Sequence, residues 1–262
     1  MASIKEAYDS TMKEAFTGIK VFLWAIPIAY IIVQFKKIPT EISPISFIYT
    51  NWLALIILFF LLGFIVTLAK NVVAKAPAVV PGINVLEIIK NGVLGIIAAA
   101  PYAILGWLLK TACAQITLPG EILDPSFHIL VNLFAISLPL SGICLLIRRM
   151  NILDAFNIKK FLYGFFIVYL DYSFFGIKAG IVLGTVYAFF AYLFLLFIGF
   201  DNTFWIYLIS IGIMFAVVLY ANAIAQISDD IYTFPEKEEL KKKEEALVNN
   251  IIAEQQSIKD ER

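Results

Sequence analysis

The sequence predicts an all-α fold, a polytopic transmembrane helical bundle of about six spans with amphipathic helices at the membrane surface. Hydrophobic residues make up 61% of the 262 residues and charged residues only 15%, unlike the composition of a soluble domain. The apolar runs are long and continuous, as spanning helices require. Because the formal net charge is zero, we expect no nucleic-acid partner. The lipid bilayer is the first predicted partner.

Six apolar segments are predicted to span the membrane. Their approximate bounds are 18–35, 46–69, 92–109, 127–147, 174–200 and 203–223. Residues 1–17 are predicted to form an amphipathic surface helix with Ile4, Tyr8 and Met12 on its apolar face, and no cleavable signal peptide is expected. The predicted organisation is a surface helix (1–17), a transmembrane domain (18–226) and a charged cytoplasmic helical tail (227–262).

Residues 161–200 form an apolar run that is too long for one perpendicular crossing. As a helix the run would extend about 60 Å, against a hydrocarbon thickness of about 30 Å. Its first half is rich in aromatic residues, which favour the headgroup region. We therefore predict an interfacial or re-entrant segment at 155–172 and one span at 174–200. The alternative is that the run crosses twice, which would place the C-terminal tail outside.

The basic residues of the loops predict the orientation, because cytoplasmic loops carry an excess of Lys and Arg. With six spans, ten basic residues fall on one side and three on the other. The ten are Lys5, Lys13, Lys20, Lys70, Lys75, Lys90, Arg148, Arg149, Lys159 and Lys160, and the three are Lys36, Lys37 and Lys110. The sequence thus predicts a multi-pass protein of the prokaryotic cytoplasmic membrane, with both termini in the cytoplasm.

A weak internal repeat suggests that a surface helix followed by a helical hairpin is used three times, starting near Ile4, Ile83 and Ala155. Chance similarity between apolar segments is the alternative. Prolines at 27, 101 and 139 lie inside predicted spans. Transporters use such broken helices to bind substrate, whereas many membrane helices tolerate proline because neighbouring groups replace the lost hydrogen bond. We favour the second interpretation.

Small and charged residues within the spans supply the candidate site residues. Two helix-packing stripes are predicted, Gly176, Gly180 and Gly184 in one and Gly95, Ala99 and Ala103 in the other. The glycine stripe is also a candidate surface for self-association or for a membrane-protein partner. Asp171, Lys178 and Pro101 are candidate transport-related residues, since charges inside a membrane often mark a pathway. Alternatively, Asp171 lies among the headgroups and Lys178 extends to water.

Motifs for catalysis, cofactors and metals are absent from the sequence, which predicts a protein that is not an enzyme and has no cofactor. His128 is predicted to be an interfacial polar residue, because Pro125 is expected to separate it from Asp124. Cys113 and Cys144 are expected at opposite ends of a helix pair, too far apart for a disulfide.

Residues 63–92 carry a family resemblance. The segment contains GFIVTLAKNVV, then AP, VPG and LEIIKNG, ahead of an apolar span with an internal proline. This order resembles the domain of unknown function 4013 family of prokaryotic membrane proteins, over roughly residues 15–223. In that family acidic and tryptophan residues follow the linker proline, whereas Gly82, Ile83 and Asn84 follow Pro81 here. The resemblance implies an integral membrane protein of several helices and no particular activity.

The sequence therefore predicts a non-enzymatic scaffold or accessory subunit of a membrane complex. The alternative is a transporter or permease subunit that uses its proline-interrupted helices. In the tail, Pro235 is expected to start a separate charged helix with a thin apolar seam. That helix is a candidate docking element for a cytoplasmic partner.

Overall fold

The computed structural model is all-helical over the residues that it describes, which are 3–12, 17–36, 51–82, 84–117, 119, 123–198 and 203–260. Within these ranges the side chains of 10, 12, 34–36, 180, 182, 183, 185–198, 203, 204 and 234–260 are not described. The helices are α1 (Ile4–Met12), α2 (Thr17–Lys36), α3 (Trp52–Val73), α4 (Val85–Cys113), α5 (Leu123–Ile147), α6 (Ile152–Ala155), α7 (Ile158–Ile198) and α8 (Thr203–Asp260). The predicted all-α class is confirmed.

Five segments of the described chain are long and apolar enough to cross a membrane. They are Trp52–Val73, Val85–Cys113, Leu123–Ile147, Ile158–Ala179 and Trp205–Thr233. The first predicted span corresponds to α2, which has 20 residues. Large apolar side chains cover the outside of these helices, as shown by Trp107 and Ile181, which are 64% and 65% exposed. Since such a surface is favourable in lipid and unfavourable in water, the structure supports a membrane-embedded protein.

Asparagine side chains start three of the helices. The Asn84, Asn151 and Asn157 side-chain oxygens accept hydrogen bonds from the backbone N–H groups of Glu87, Leu153 and Lys160, respectively. Each bond satisfies an N–H group that has no partner within its own helix. After α3 and α5, Lys75 and Met150 have left-handed backbones, with φ of 51° and 50°. These reversals end both helices sharply.

Helix α7 is uninterrupted over 41 residues. The predicted break between an interfacial segment at 155–172 and a span at 174–200 is therefore wrong. A double crossing is wrong for the same reason, because a continuous helix cannot turn back. The described apolar stretch of α7 begins at its first residue, Ile158. The short helix α6 is all that separates α5 from α7.

Helix α8 continues for 58 residues and passes through Pro235, where the sequence predicts that a separate helix begins. The residues just before this proline belong to the bundle. Ile227 and Ser228 are fully buried, and Ile231 is 4% exposed. A boundary at residue 227 therefore divides a packed, continuous helix. The side chains of the predicted seam in the tail lie outside the described residues.

Helix α1 packs against protein along its length. Ala7 is fully buried in a cluster that contains Phe175 of α7 and Leu219 of α8. Thr11 is also buried, whereas Tyr8 is 48% exposed. The buried face thus includes Ala7 and Thr11, and Ile4 of the predicted apolar face packs beside them. Tyr8 of that face is half exposed, and the side chain of Met12 lies outside the described residues. Helix α1 fills a groove between α7 and α8, which favours small side chains.

Glycines bring α3, α4 and α5 into close contact. A Cβ atom built on Gly106 of α4 would lie 2.6 Å from the Ala135 carbonyl oxygen of α5. Cβ atoms built on Gly63 and Gly142 would likewise overlap the backbone carbonyls of Ile88 and Ala98. Since no side chain fits at these three positions, the backbones touch directly, as is typical of helices associated in lipid.

Candidate functional site at the charged end of the bundle

One end of the bundle collects polar and charged groups from five helices, and we call it the charged end. It comprises the C-terminal turns of α3 and α5, the first turns of α4 and α7, and residues 226–233 of α8. The chain reaches it repeatedly because consecutive long helices run antiparallel. Residues that are more than 80 positions apart in sequence meet here.

Side chains of α8 complete the C-terminal turn of α5. The last four carbonyl groups of a helix have no partner within the helix. Ser228 Oγ donates to the Cys144 carbonyl oxygen at 2.6 Å, and Tyr232 Oη donates to the Leu145 carbonyl oxygen at 2.9 Å. Beside them Arg148 forms an ion pair with Asp229. These contacts fasten α8 to the end of α5.

The Tyr232 ring lies among three cations. The Arg148 and Arg149 Cζ atoms are each 5.5 Å from the ring centroid, and Lys160 Nζ is 5.0 Å from it. Cation–π attraction of this kind is worth about 0.5–2 kcal/mol per pair, depending on exposure. Lys160 Nζ also pairs with Asp154 Oδ1 at 2.7 Å, and the Asp154 side chain is 11% exposed. Tyr232 therefore links α5, α7 and α8 at one point.

A second polar group joins α3 to α4. Asn91 Nδ2 donates to Thr67 Oγ1 at 2.9 Å in a buried position, and Lys70 Nζ pairs with Glu87 Oε1 at 2.8 Å. Asn71 Nδ2 donates to the Val79 carbonyl oxygen at 3.2 Å, which holds the linker after α3 in place. A cleft of about 100 Å³ remains between the linker and these two helices.

A larger cleft of about 280 Å³ opens between α1, α3 and α8. Its polar lining comes from Glu6, Lys75, Gln226, Asp229 and Asp230. The cleft offers hydrogen-bonding and ionic chemistry. Among the residues that the structure describes, no group of three or more His, Cys, Asp or Glu side chains is placed to hold a metal ion.

The predicted glycine stripe on α7 has different surroundings at each position. Gly176 contacts α8, because Tyr220 Oη donates to its carbonyl oxygen at 3.1 Å. A Cβ atom on Gly184 would meet no atom of the described residues within 4 Å. The surroundings of Gly180 lie outside the described residues.

The predicted stripe on α4 is buried at one end only. Gly95 is buried against Val66 of α3, Ala99 packs against the main core, and Ala103 is exposed. The positions at which backbones touch are instead Gly63, Gly106 and Gly142. These three glycines were not among the predicted packing residues. Each is an isolated glycine within an apolar span, which could have indicated close helix packing.

The candidate transport-related residues do not line either cleft described above. On α7, Asp171 is half-buried and Lys178 is exposed. Pro101 is half-buried within α4. The helices α2, α4 and α5 each continue through their internal prolines, Pro27, Pro101 and Pro139.

His128 and Asp124 lie on one helix face. His128 Nε2 is 3.7 Å from Asp124 Oδ1, so the expectation that Pro125 separates them is wrong. The reason is that α5 begins at Leu123 and proline is tolerated in the first turn of a helix. Cys113 and Cys144 are both free thiols, as expected.

The Tyr232 cluster is the part of the charged end that sequence reasoning missed. In the sequence, its basic residues indicate only the orientation of the chain in the membrane. The available signal was the i, i+1, i+4 spacing of Ser228, Asp229 and Tyr232, which places polar groups together at the end of the apolar part of α8.

No family model, curated protein or solved structure matches this chain. The resemblance to the domain of unknown function 4013 family therefore stays a prediction. Function is argued below from the geometry alone.

Proposed function

We propose that this chain is a non-catalytic scaffold or accessory subunit of a membrane complex, which holds its C-terminal helix rigidly for a partner. The chain is an apolar helical bundle suited to a membrane. The proposed scaffold role rests on helix α8.

The observation that carries the proposal is that α8 is one continuous helix with an apolar part and a charged part. Residues 205–233 are apolar enough to span a membrane, and the helix then continues to Asp260. At 1.5 Å per residue, the part after Thr233 is about 40 Å long. Its sequence is rich in both Glu and Lys, which favours water or a polar partner over lipid.

Three contacts hold α8 where it reaches the charged end. They are the Arg148–Asp229 ion pair and the Ser228 and Tyr232 hydrogen bonds to α5. A displacement of the projecting part would strain these contacts, and the bundle resists it. A rigid projecting helix of this kind suits an assembly role better than a flexible tail does.

The proposed orientation places the charged end in the cytoplasm. The support is the positive-inside rule together with the basic residues that meet at this end, among them Lys70, Arg148, Arg149 and Lys160. The start of α1 lies at the same end, since Ser3 is hydrogen-bonded to Gln226. Both termini are therefore proposed to be cytoplasmic, in the cell membrane.

We do not extend the proposal to transport. The transporter hypothesis depended on proline-interrupted helices, and the helices that contain Pro27, Pro101 and Pro139 are continuous. No described feature favours transport over assembly.

Chemical crosslinking in native membranes, followed by affinity purification, tests the proposal. The full-length chain is compared with a chain that ends after Thr233. The full chain is expected to copurify with a defined protein that is lost on truncation. The two chains are expected to have equal thermal stability in detergent, since the contacts that fasten α8 are retained. A partner set that is identical for both chains would contradict the proposal.

A matched control separates rigidity from charge. Inserting two glycines after Thr233 keeps every tail residue but weakens the continuous helix. If the partner needs a rigid projection, the insertion reduces copurification. Unchanged copurification would show that the tail acts as a flexible tether.

A further inference from the structure

The segment between α5 and α7 exposes large apolar side chains beside cations. Leu153 is 72% exposed and Ile158 is 71% exposed. Phe156 and Leu162 are exposed as well. These four residues, together with Arg149 and Lys159, are the exposed side chains of one short segment, which we call the 149–162 surface. Its apolar side chains are not buried by other parts of the protein, whereas large apolar side chains usually are.

The 149–162 surface folds back along the bundle instead of extending away from it. Tyr102 Oη donates to the Ala155 carbonyl oxygen at 2.5 Å, and the Tyr102 and Phe161 rings stack with centroids 4.0 Å apart. Tyr102 lies well inside the apolar helix α4, 17 residues after Val85. Because Tyr102 is the eighteenth of the 29 residues of α4, the surface is held beside this spanning helix and not beyond its end.

The cations of this surface are not equivalent. Arg148 pairs with Asp229, and Lys160 pairs with Asp154. Arg149 and Lys159 are exposed, and no carboxylate among the described residues lies within ion-pair distance of either of them. Arg149 is oriented by the Tyr232 ring. Within the part of the chain that the structure describes, these two positive charges are therefore available to an added anion.

We propose that the 149–162 surface binds an anionic phospholipid, with Arg149 and Lys159 at its phosphate headgroup and the exposed apolar side chains at its acyl chains. Acyl chains would cover the exposed apolar side chains of Leu153, Phe156, Ile158 and Leu162. An anionic headgroup would neutralise the two cations. A soluble phosphate would pair with the two cations but would leave the apolar side chains uncovered. The proposal rests on the membrane location and not on the scaffold role.

Native mass spectrometry of the purified full-length protein tests the proposal. The protein is placed in mixed micelles that contain phosphatidylglycerol and phosphatidylcholine, and the bound lipids are titrated. The wild-type protein is expected to bind phosphatidylglycerol more tightly than phosphatidylcholine. The variant R149Q/K159Q is expected to lose roughly thirtyfold in affinity for it, because each cation near the surface is worth about fivefold. Binding of phosphatidylcholine is expected to stay unchanged.

The variant K5Q/K90Q is the matched control, since both lysines are exposed at the charged end and the same charge is lost. It is expected to bind like wild type, and R149K/K159R is expected to retain most of the affinity. The single variants R149Q and K159Q are each expected to lose about fivefold, which keeps the test informative if the double variant unfolds.

Three results of the lipid titration would overturn the proposal. They are an equal loss in both glutamine double variants, no loss in R149Q/K159Q, and displacement of the lipid by millimolar inorganic phosphate. A copurifying protein that is lost in R149Q/K159Q while lipid binding persists would also overturn it, in favour of a protein surface. None of these results depends on the tail, so the scaffold proposal is tested separately.

Discussion

Ser3 and Gln226 are hydrogen-bonded to each other twice, although 223 positions separate them. The Ser3 backbone N–H donates to Gln226 Oε1 at 2.7 Å, and Gln226 Nε2 donates to the Ser3 carbonyl oxygen at 3.2 Å. Gln226 Nε2 also donates to Asn222 Oδ1 at 3.0 Å. The first described residue of the chain is thereby attached to the charged end of the last spanning helix.

Cysteine labelling is expected to place both termini on one side of the membrane. Lys5→Cys and Glu254→Cys, introduced separately into a chain without its native cysteines, should both resist an impermeant maleimide applied outside intact cells. Ala114→Cys, which follows α4 at the opposite end of the bundle, should react. Labelling of only one terminus would contradict the Ser3–Gln226 arrangement, and labelling of both would reverse the orientation.

Gly106→Ala is expected to destabilise the bundle by about 1–3 kcal/mol. The added Cβ would lie 2.6 Å from the Ala135 carbonyl oxygen, so α4 and α5 must separate. Gly184→Ala is the matched control, because a Cβ there meets none of the described atoms within 4 Å. It is expected to be neutral or slightly stabilising, since alanine favours helix. Thermal or denaturant unfolding in detergent measures both, and equal effects would refute the packing assignment.

Thr67→Val is expected to cost about 1–3 kcal/mol, because it leaves the buried Asn91 amide without its hydrogen-bond acceptor. The double variant Thr67→Val/Asn91→Leu removes both polar groups and should recover most of the loss. Equilibrium unfolding of the two variants gives the comparison. If the double variant is less stable than the single one, the pair does not act as a buried hydrogen bond.

Lys160→Met is expected to be more destabilising than the double variant Asp154→Asn/Lys160→Met. The single change leaves the Asp154 carboxylate, which is 11% exposed, without its cation, at a cost of about 1–3 kcal/mol. The double change removes the charge as well. A double-mutant cycle on unfolding free energies measures the coupling. Strictly additive effects would show that the two side chains do not interact.

The candidate site was less predictable than the spans. Arg148 stood out in the sequence as a loop cation, but its partner Asp229 could not be assigned, since a contact across 81 positions depends on how helices pack. Asp154 is only six positions from Lys160, but their ion pair depends on how the chain turns from α6 into α7. The packing glycines show the same difficulty. Gly184 repeats regularly with Gly176 yet meets nothing in the described chain, whereas the isolated Gly106 touches a neighbouring backbone.

The sequence by itself determined that the chain is helical and suited to a membrane, because hydropathy is summed over consecutive residues and needs no neighbour. It also placed the spans 18–35 and 127–147 within four residues of α2 and α5 at both ends, whereas the other four predicted spans differ by more at one end. Only the tertiary structure decided that α7 and α8 are continuous, that α1 buries Ala7 between them, and that Tyr232 joins three helices. The physical reason is that these features depend on which helix faces meet, and long-range packing and hydrogen bonds set that choice.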